Sequence, residues 1–187
     1  MERLIIGIGS IFLILFTIIL IFFRGGGQPT TPRTEKLKPL AQYATTSAQV
    51  SMTIDGRVNG EDVHRSIRVT VSQYLRTLDI IGGYSGNILT TQSFSNTQDA
   101  YGVFLRAIND AGFLARNSDY KIDDERGKCP LGLRQVFELN DAGDSLSRLW
   151  SSSCSNVGTL KGSRTSLQTL FKLQITDYNE LTSGVRL

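Results

Sequence analysis

The sequence contains few of the residues that bind metals or form nucleophile–base pairs. Among 187 residues there are one histidine, His64, and two cysteines, Cys129 and Cys154. A zinc site would have to recruit carboxylates without any recognisable ligand spacing, and neither cysteine lies in a signature that accompanies a catalytic thiol. The sequence therefore predicts no metal site, no cofactor and no catalytic residue.

Charge is absent from residues 4–23, a run of twenty residues. As an α-helix this run would span about 30 Å, the thickness of the hydrocarbon core of a bilayer. A cleaved secretory signal has an apolar core of about 7–15 residues and a small-residue exit, whereas Arg24 and three glycines follow here. We therefore expect an uncleaved transmembrane anchor over residues 4–23, after a short flank of residues 1–3. Cleavage after the glycines is the alternative.

Proline is scarce, and three of the four prolines fall within residues 24–39, together with a triple glycine and scattered basic residues. A segment of this composition cannot bury a core. We expect it to be a flexible tether that joins the anchor to a single domain over residues 40–187.

The net charge of +3 belongs to the membrane-proximal part of the chain. Residues 1–39 hold five basic and two acidic residues, whereas residues 40–187 hold fifteen of each. A domain without net charge lacks the basic surface that nucleic-acid-binding proteins use, so we exclude nucleic acid as a partner. The basic flank instead fits anionic lipid headgroups.

Alternation of apolar and polar residues predicts a β-meander in the first half of the domain. Residues 50–54 form a first strand, with Val50, Met52 and Ile54 on one face. A second strand runs over residues 67–81, with a bulge or bend near Gln73 and Tyr74. Residues 88–94 form a third strand after a glycine-rich turn.

Two helices follow from apolar residues at helical spacing. Residues 101–111 form the first helix, capped by Ser95 or Thr97 and ended by Gly112. Ser163 caps the second, whose apolar face consists of Leu167, Leu170, Phe171 and Leu173. The order β-β-β-α-β-β-α predicts a two-layer α+β domain, with the helices on one face of a mainly antiparallel sheet.

The two remaining strands form a hairpin over residues 129–154, around the turn sequence NDAGD. Pairing of Asn140 with Gly143 places Phe137 opposite Leu146. This register gives one apolar face, formed by Leu133, Phe137, Leu146 and Trp150.

The same register places Cys129 opposite Cys154, within disulfide reach. Two buried free thiols are the alternative. A disulfide that closes this loop stabilises the domain by roughly 3–4 kcal/mol in the chain-entropy model. Such a bond persists only outside the cytosol, so it predicts an exterior domain.

The distribution of basic residues favours the opposite orientation. Arg24, Arg33, Lys36 and Lys38 follow the apolar run, and Arg3 precedes it, which by the positive-inside rule favours a cytoplasmic domain. Long domains, however, translocate largely regardless of charge. We therefore expect a cytoplasmic N-terminus and an exterior domain.

Three short motifs carry weak catalytic or metal-binding signals. GYSGN at residues 83–87 lacks one glycine of a nucleophile elbow and lies in a predicted turn. SDYK at residues 118–121 matches a serine acylase pattern of four residues that occurs often by chance. The acidic residues of 119–125 lack the glycine of a calcium loop, and we expect them to form a solvated loop with Arg126 and Lys128.

The string RGKCP…WSSSC…GTLKGS…LF, within residues 126–178, resembles a group of small proteins from ultra-small candidate-phylum bacteria. Each of these has one N-terminal anchor and one exported domain, and the group has no assigned activity. The resemblance therefore implies a place in the cell envelope and adds no site residue.

Together these features predict a membrane-anchored envelope protein that acts as a non-enzymatic binding or assembly module for a protein partner. Trp150, Arg134 and Tyr84 are the candidate partner surface, although Trp150 is also the expected core anchor of the hairpin. One alternative is a membrane-tethered enzyme that uses Ser85 or His64, and the other is a cytoplasmic-facing scaffold. The sequence indicates no oligomeric state.

Overall fold

A computed structural model describes residues 37–155 and 157–187, with Tyr120 described through its backbone alone. These residues form one compact unit, Leu37–Leu187. The predicted anchor and residues 24–36 of the predicted tether lie outside the described residues. No helix within the described part is both long enough and apolar enough to cross a bilayer.

The described part contains six strands, three α-helices and two short 3-10 helices. The strands are β1 (Gln49–Asp55), β2 (Arg65–Ser72), β3 (Leu75–Gly82), β4 (Asn87–Ser95), β5 (Arg134–Asp141) and β6 (Asp144–Ser152). The α-helices are α1 (Gln98–Asp110), α2 (Arg164–Lys172) and α3 (Tyr178–Thr182). The 3-10 helices are Leu40–Thr45 and Tyr120–Ile122.

The strands form one antiparallel sheet in the order β4-β3-β2-β1-β5-β6. On one face of the sheet Met52 lies between Val69 and Phe137, and α1 and α2 pack over this row. Phe171 of α2 contacts Phe104 of α1 edge to face, with ring centroids 5.1 Å apart. The prediction of an α+β domain with a mainly antiparallel sheet is confirmed, and the helix-covered face of this sheet holds the core. The predicted order β-β-β-α-β-β-α is wrong, since four strands precede α1 and a third α-helix follows α2.

The predicted second strand is in fact two strands. β2 ends at Ser72 and β3 begins at Leu75, and the Ser72 hydroxyl bonds both the N–H and the carbonyl of Leu75. The phase change near Gln73 and Tyr74 is therefore a chain reversal rather than a bulge. The sheet has a bulge at a different place, between β3 and β4 beside Ile80.

The β5–β6 hairpin forms around a different pair of turn residues from those predicted. Ala142 and Gly143 both have positive φ, 51° and 92°, and Asp141 pairs with Asp144. Two central residues with positive φ define the turn type whose twist matches a hairpin. The predicted pair of Asn140 with Gly143 is therefore wrong.

The register of the hairpin also differs from the prediction. Phe137 pairs with Leu149, three positions from the predicted Leu146, and Trp150 pairs with Val136 rather than with Leu133. A shift by an odd number of residues moves a side chain to the opposite face of a sheet. Phe137 consequently lies in the core beneath the helices, whereas Trp150 lies on the other face.

The disulfide between Cys129 and Cys154 is present, with the two Cα atoms 5.6 Å apart. It forms beyond the paired strands, since the last ladder contact joins the Ser153 N–H to the Leu133 carbonyl at 2.8 Å. A turn in which the Gly132 N–H donates to the Cys129 carbonyl at 3.1 Å then brings the cysteines together. The predicted bond is confirmed, and the register from which it was predicted is wrong.

The first helix has the cap and the end that its sequence indicates. The Thr97 hydroxyl accepts the Ala100 N–H at 3.2 Å, so Thr97 is the N-cap rather than Ser95. Gly112 ends the helix with a φ of 84°. Its backbone lies directly against that of Gly162, which precedes α2.

The second helix is shorter than its apolar pattern indicates. Ser163 caps it as predicted, by accepting the Ser166 N–H, and Leu167 and Phe171 are buried. Leu173 lies beyond the end of α2 and is 72% exposed, so its assignment to the buried face is wrong. The short helix α3 was not predicted.

Candidate partner surface

One end of the sheet carries a connected set of polar side chains. At this end, called the loop end below, β1 ends at Asp55 while β2 and β5 begin at Arg65 and Arg134. The loop of residues 56–64 joins β1 to β2, and the turn of residues 83–86 joins β3 to β4. Hydrogen bonds of Asn59 and Glu61 with Tyr84 and Ser85 join these two segments.

His64 lies at the centre of the loop end, only 2% exposed. Its Nε2 atom lies 2.9 Å from Oδ1 of Asp55, and its Nδ1 atom lies 3.1 Å from the carbonyl oxygen of Arg57. The other carboxylate oxygen of Asp55 accepts the Arg134 guanidinium. His64 therefore joins β1, the loop of residues 56–64 and, through Asp55, β5.

Both ring nitrogens of His64 face acceptors. These partners belong to β1 and to the loop of residues 56–64, and the ring is almost wholly buried between them. The arrangement suits a structural bracket.

Tyr84 connects the β3–β4 turn to the same network. Its ring stacks on the His64 imidazole with centroids 4.0 Å apart and planes 16° from parallel. Its hydroxyl donates to the Asn59 carbonyl at 2.9 Å and accepts the Asn59 N–H at 3.0 Å. The tyrosine thus lies across the loop of residues 56–64.

Glu61 forms a second connection between the loop and the turn. Its carboxylate accepts the Tyr84 N–H at 3.0–3.1 Å and the Ser85 hydroxyl at 3.1 Å. The backbone bond from Tyr84 is the main reason that the pKa of Glu61 lies below its ordinary value of 4.5, and Ser85 and the nearby His64 add to the effect. The turn is therefore held by a carboxylate that stays ionised at neutral pH.

Six apolar side chains project into solvent around this network, and each is more than half exposed. They are Val58, Val63, Tyr84, Ile88, Leu89 and Leu131, called the apolar rim below. Leu131, at 80%, is the most exposed of the large apolar residues in the described part of the chain. The Val58 N–H donates to the Pro130 carbonyl at 2.8 Å, which places the turn that carries Leu131 beside the loop.

Charges within the loop end balance. Arg57, Arg65 and Arg134 supply three positive charges, and Asp55, Glu61 and Asp62 supply three negative charges. Much of this charge is engaged within the protein, because Asp55 binds Arg134 and Arg65 donates to the carbonyls of Asp62 and His64. Recognition at this end would therefore depend on apolar contact rather than on net charge.

The structure separates the three residues that the sequence singled out as a partner surface. Tyr84 and Arg134 both lie at the loop end, where Tyr84 is half exposed and Arg134 is bound to Asp55. Trp150 lies in the interior and is 1% exposed, so its side chain offers no surface to a partner. The loop that joins α1 to β5 covers this face, since Glu125 in it accepts Arg148, two residues before Trp150, at 2.7 Å.

The weak catalytic and metal-binding motifs have structural partners. The Ser85 hydroxyl donates to the Glu61 carboxylate, which also holds the Tyr84 N–H, rather than to the histidine. Three carboxylates of the acidic loop each pair with an arginine, namely Asp123 with Arg116, Asp124 with Arg126 and Glu125 with Arg148. The Arg126 guanidinium lowers the pKa of Asp124 to about 2. Within the described residues, no group of three or more metal-ligand side chains converges.

A groove of about 520 Å³ lies between α2 and α3. Lys172, Leu173 and Tyr178 line it, and the Lys172 ammonium lies 5.1 Å from the centroid of the Tyr178 ring. Burial raises the pKa of Tyr178 to about 12, which keeps its hydroxyl protonated at neutral pH. Tyr178 therefore does not supply a base to the groove, whose lining also includes the carboxylates of Asp177 and Glu180.

The apolar rim could not be recognised from the sequence pattern. Val58, Val63 and Leu131 lie in loops, where no period of two or 3.6 residues separates buried from exposed positions. The single histidine was the available signal, since it marks the loop between β1 and β2. Asp55, which bonds His64, and Glu61, which bonds the β3–β4 turn, do not belong to any recognisable sequence motif.

No protein-family model matches this chain, and no curated protein matches it significantly.

Proposed function

We propose that this protein is a single-pass membrane protein whose exterior domain binds a protein partner through the apolar rim. In this proposal residues 4–23 are the anchor, the N-terminus is cytoplasmic, and the domain is a non-enzymatic binding or assembly module of the cell envelope. The observation that carries the binding role is the apolar rim itself, held in place by His64, Tyr84 and Glu61.

The rim supports binding because exposure of apolar side chains to water is unfavourable, and no contact within the described domain explains why these six are exposed. Exposed apolar residues scattered singly are normal, whereas apolar residues gathered in one region mark an interaction surface. The six rim residues all lie in or beside the loops and turns of one end of the sheet. The buried bracket of His64 and Asp55 fixes the loops that carry the rim. A preformed surface loses little conformational entropy when it binds.

The disulfide supports the exterior placement. Cys154 is exposed and Cys129 is partly exposed, so the cytosolic reducing systems would have access to the bond. Disulfides of this kind persist in oxidising compartments. A cytoplasmic-facing scaffold is the second candidate, and the basic residues after the predicted anchor favour it.

Site-specific photocrosslinking in cells tests the binding role. A photoreactive amino acid replaces Leu131 in the full chain, and the matched control replaces Leu173, another leucine that is largely exposed but lies far along the chain at the end of α2. We expect a discrete protein adduct from position 131 and none from position 173. Adducts at both positions in similar yield, or at position 173 alone, would contradict the proposal.

A further inference from the structure

The two edges of the sheet are covered to different extents. At the β6 edge, the chain segment of residues 157–160 adds backbone contacts: the Leu160 N–H donates to the Trp150 carbonyl at 2.9 Å, and the Ser152 N–H donates to the Val157 carbonyl at 2.9 Å. Thr159 also accepts the Trp150 N–H through its side chain. This edge is therefore occupied by the protein's own chain over its second half.

The β4 edge has no comparable cover within the described residues. All nine residues of β4 except Phe94 are exposed, and β4 has β3 as its single strand neighbour. Apart from the pairing of β4 with β3, the Ser95 carbonyl at the end of β4 accepts hydrogen bonds from the Arg76 side chain. Alternate N–H and C=O groups of β4 therefore point to solvent.

The composition of β4 does not protect this edge. Natural proteins protect long edge strands with charged residues or proline, or cover them. The sequence NILTTQSFS contains neither a charged residue nor proline. The register shift beside Ile80 lies near Leu89, and residues 90–95 continue in regular pairing with β3. This half of β4 is a flat, uncharged template for another strand.

We propose that β4 pairs with β4 of a second copy of this chain, antiparallel and about a two-fold axis at Thr91. This register places Thr91 opposite Thr91 and Thr90 opposite Gln92 within the regular half of β4. It pairs residues 93–95 with residues 87–89 across the register shift beside Leu89. The Thr91 hydroxyl donates to Oδ1 of Asp79 on β3 at 2.7 Å, so the contact between the copies at the axis depends on the backbone groups of β4. Because β4 is uncharged, the two copies bring no like charges together.

A second copy fits this edge better than a foreign peptide does. A single added strand would cover β4 but present a new open edge of its own. Isologous pairing satisfies both β4 edges at once and closes the assembly at two copies. The resulting twelve-strand sheet ends on both sides at β6, where residues 157–160 lie. The loop ends of the two copies lie at opposite ends of the paired strands, so the rim residues Val58, Val63, Tyr84 and Leu131 lie outside the pairing, whereas Ile88 and Leu89 belong to β4 and lie within it.

Cysteine crosslinking of the purified full chain in detergent tests this register. Cys129 and Cys154 are bonded to each other and the described residues include no free thiol, so an introduced cysteine reacts alone. Opposed Cα atoms in an antiparallel pair lie about 4.5–5.5 Å apart, within disulfide range. Under mild oxidation we expect Thr91→Cys to give a covalent dimer.

Three control variants distinguish this register from random collision. Ser93→Cys lies on the same strand and face, but its copies would be about 13 Å apart along the paired strands, so we expect little crosslinking. Gln92→Lys places one charge per copy next to the axis, on the opposite face of the strand from Thr91 and its partner Asp79, and we expect a monomer by light scattering. Ser145→Lys, an exposed position of β6, should stay dimeric.

Several outcomes would overturn the proposal. Equal crosslinking at positions 91 and 93 would indicate random collision. A monomeric full chain whose β4 amides are protected from hydrogen exchange would show that another part of the chain covers the edge. A monomer with unprotected β4 amides would show that the edge is open. None of these variants changes a rim residue, and the test of partner binding uses Leu131, which lies outside β4, so the two proposals can fail separately.

Discussion

The imidazole of His64 and the phenol ring of Tyr84 lie face to face, with centroids 4.0 Å apart. One ring is buried and the other is half exposed. The contact thus links the interior of the loop end to its apolar rim. It predicts that changes to the buried ring weaken the fold more than changes to the exposed one.

His64→Phe should destabilise the protein by about 1–3 kcal/mol, because it leaves the Arg57 carbonyl without its partner and removes one of the bonds to Asp55. The aromatic stack itself can persist. Tyr84→Phe is the matched control, since it keeps the ring and loses the hydroxyl bonds to Asn59 at an exposed site, and it should cost less. Urea unfolding measures the free energy of unfolding of both variants. An equal loss for the two variants would contradict the bracket role of His64.

Removal of the disulfide should lower the free energy of unfolding by roughly 3–4 kcal/mol. It should also shift the emission of Trp150, the only tryptophan in the sequence, to the red, since the disulfide closes the loop that covers this side chain. The variant is Cys129→Ser with Cys154→Ser, and reductant should have no further effect on it. An unchanged urea midpoint and emission maximum would show that the loop holds without the bond.

Gly162→Ala should destabilise the protein by about 1–3 kcal/mol, as overpacking does. A Cβ atom at Gly162 would lie 2.8 Å from the Ala111 carbonyl oxygen and even closer to the Gly112 backbone. Gly184→Ala is the control because its Cβ would meet no atom within 4 Å. Thermal unfolding gives the melting temperature of each variant. Similar melting temperatures for the two variants would disprove the close contact of the helix ends.

The contact between Glu61 and the β3–β4 turn should weaken in acid. The pKa of Glu61 is lower in the folded protein than its ordinary value of 4.5, so its contribution to stability is fully present above that value. The contribution is lost as the pH falls through the lower folded pKa. The Tyr84 and Ser85 amide resonances should report this transition by NMR. In Glu61→Gln the transition should vanish, and its persistence there would assign it to another group.

Much of the fold follows from local pattern. Val50, Met52 and Ile54 lie on the core face as their alternation predicts, and Thr97 and Ser163 cap their helices. These features depend on the period of a strand and on the orphan N–H groups of a helix, both of which are local in the sequence.

The errors concern features that local pattern does not determine. The register of β5 and β6 depends on which two residues take positive φ, and NDAGD offers several choices. That ambiguity placed Trp150 on the wrong face. The reversal at Gln73 and Tyr74 lacks glycine and proline, so its sequence does not distinguish a tight turn from a bend. The rim depends on contacts between distant loops, such as that of Glu61 with Tyr84.

Labelling of intact cells with a membrane-impermeant maleimide tests the exterior, disulfide-closed domain most directly. Cells that express the full chain are labelled before and after treatment with a reductant that stays outside. We expect Cys129 and Cys154 to react only after that reduction, because they are bonded to each other and the proposed topology places them outside the cell membrane. Labelling that requires lysis but no reductant would contradict this account, since it would place free thiols in the cytosol.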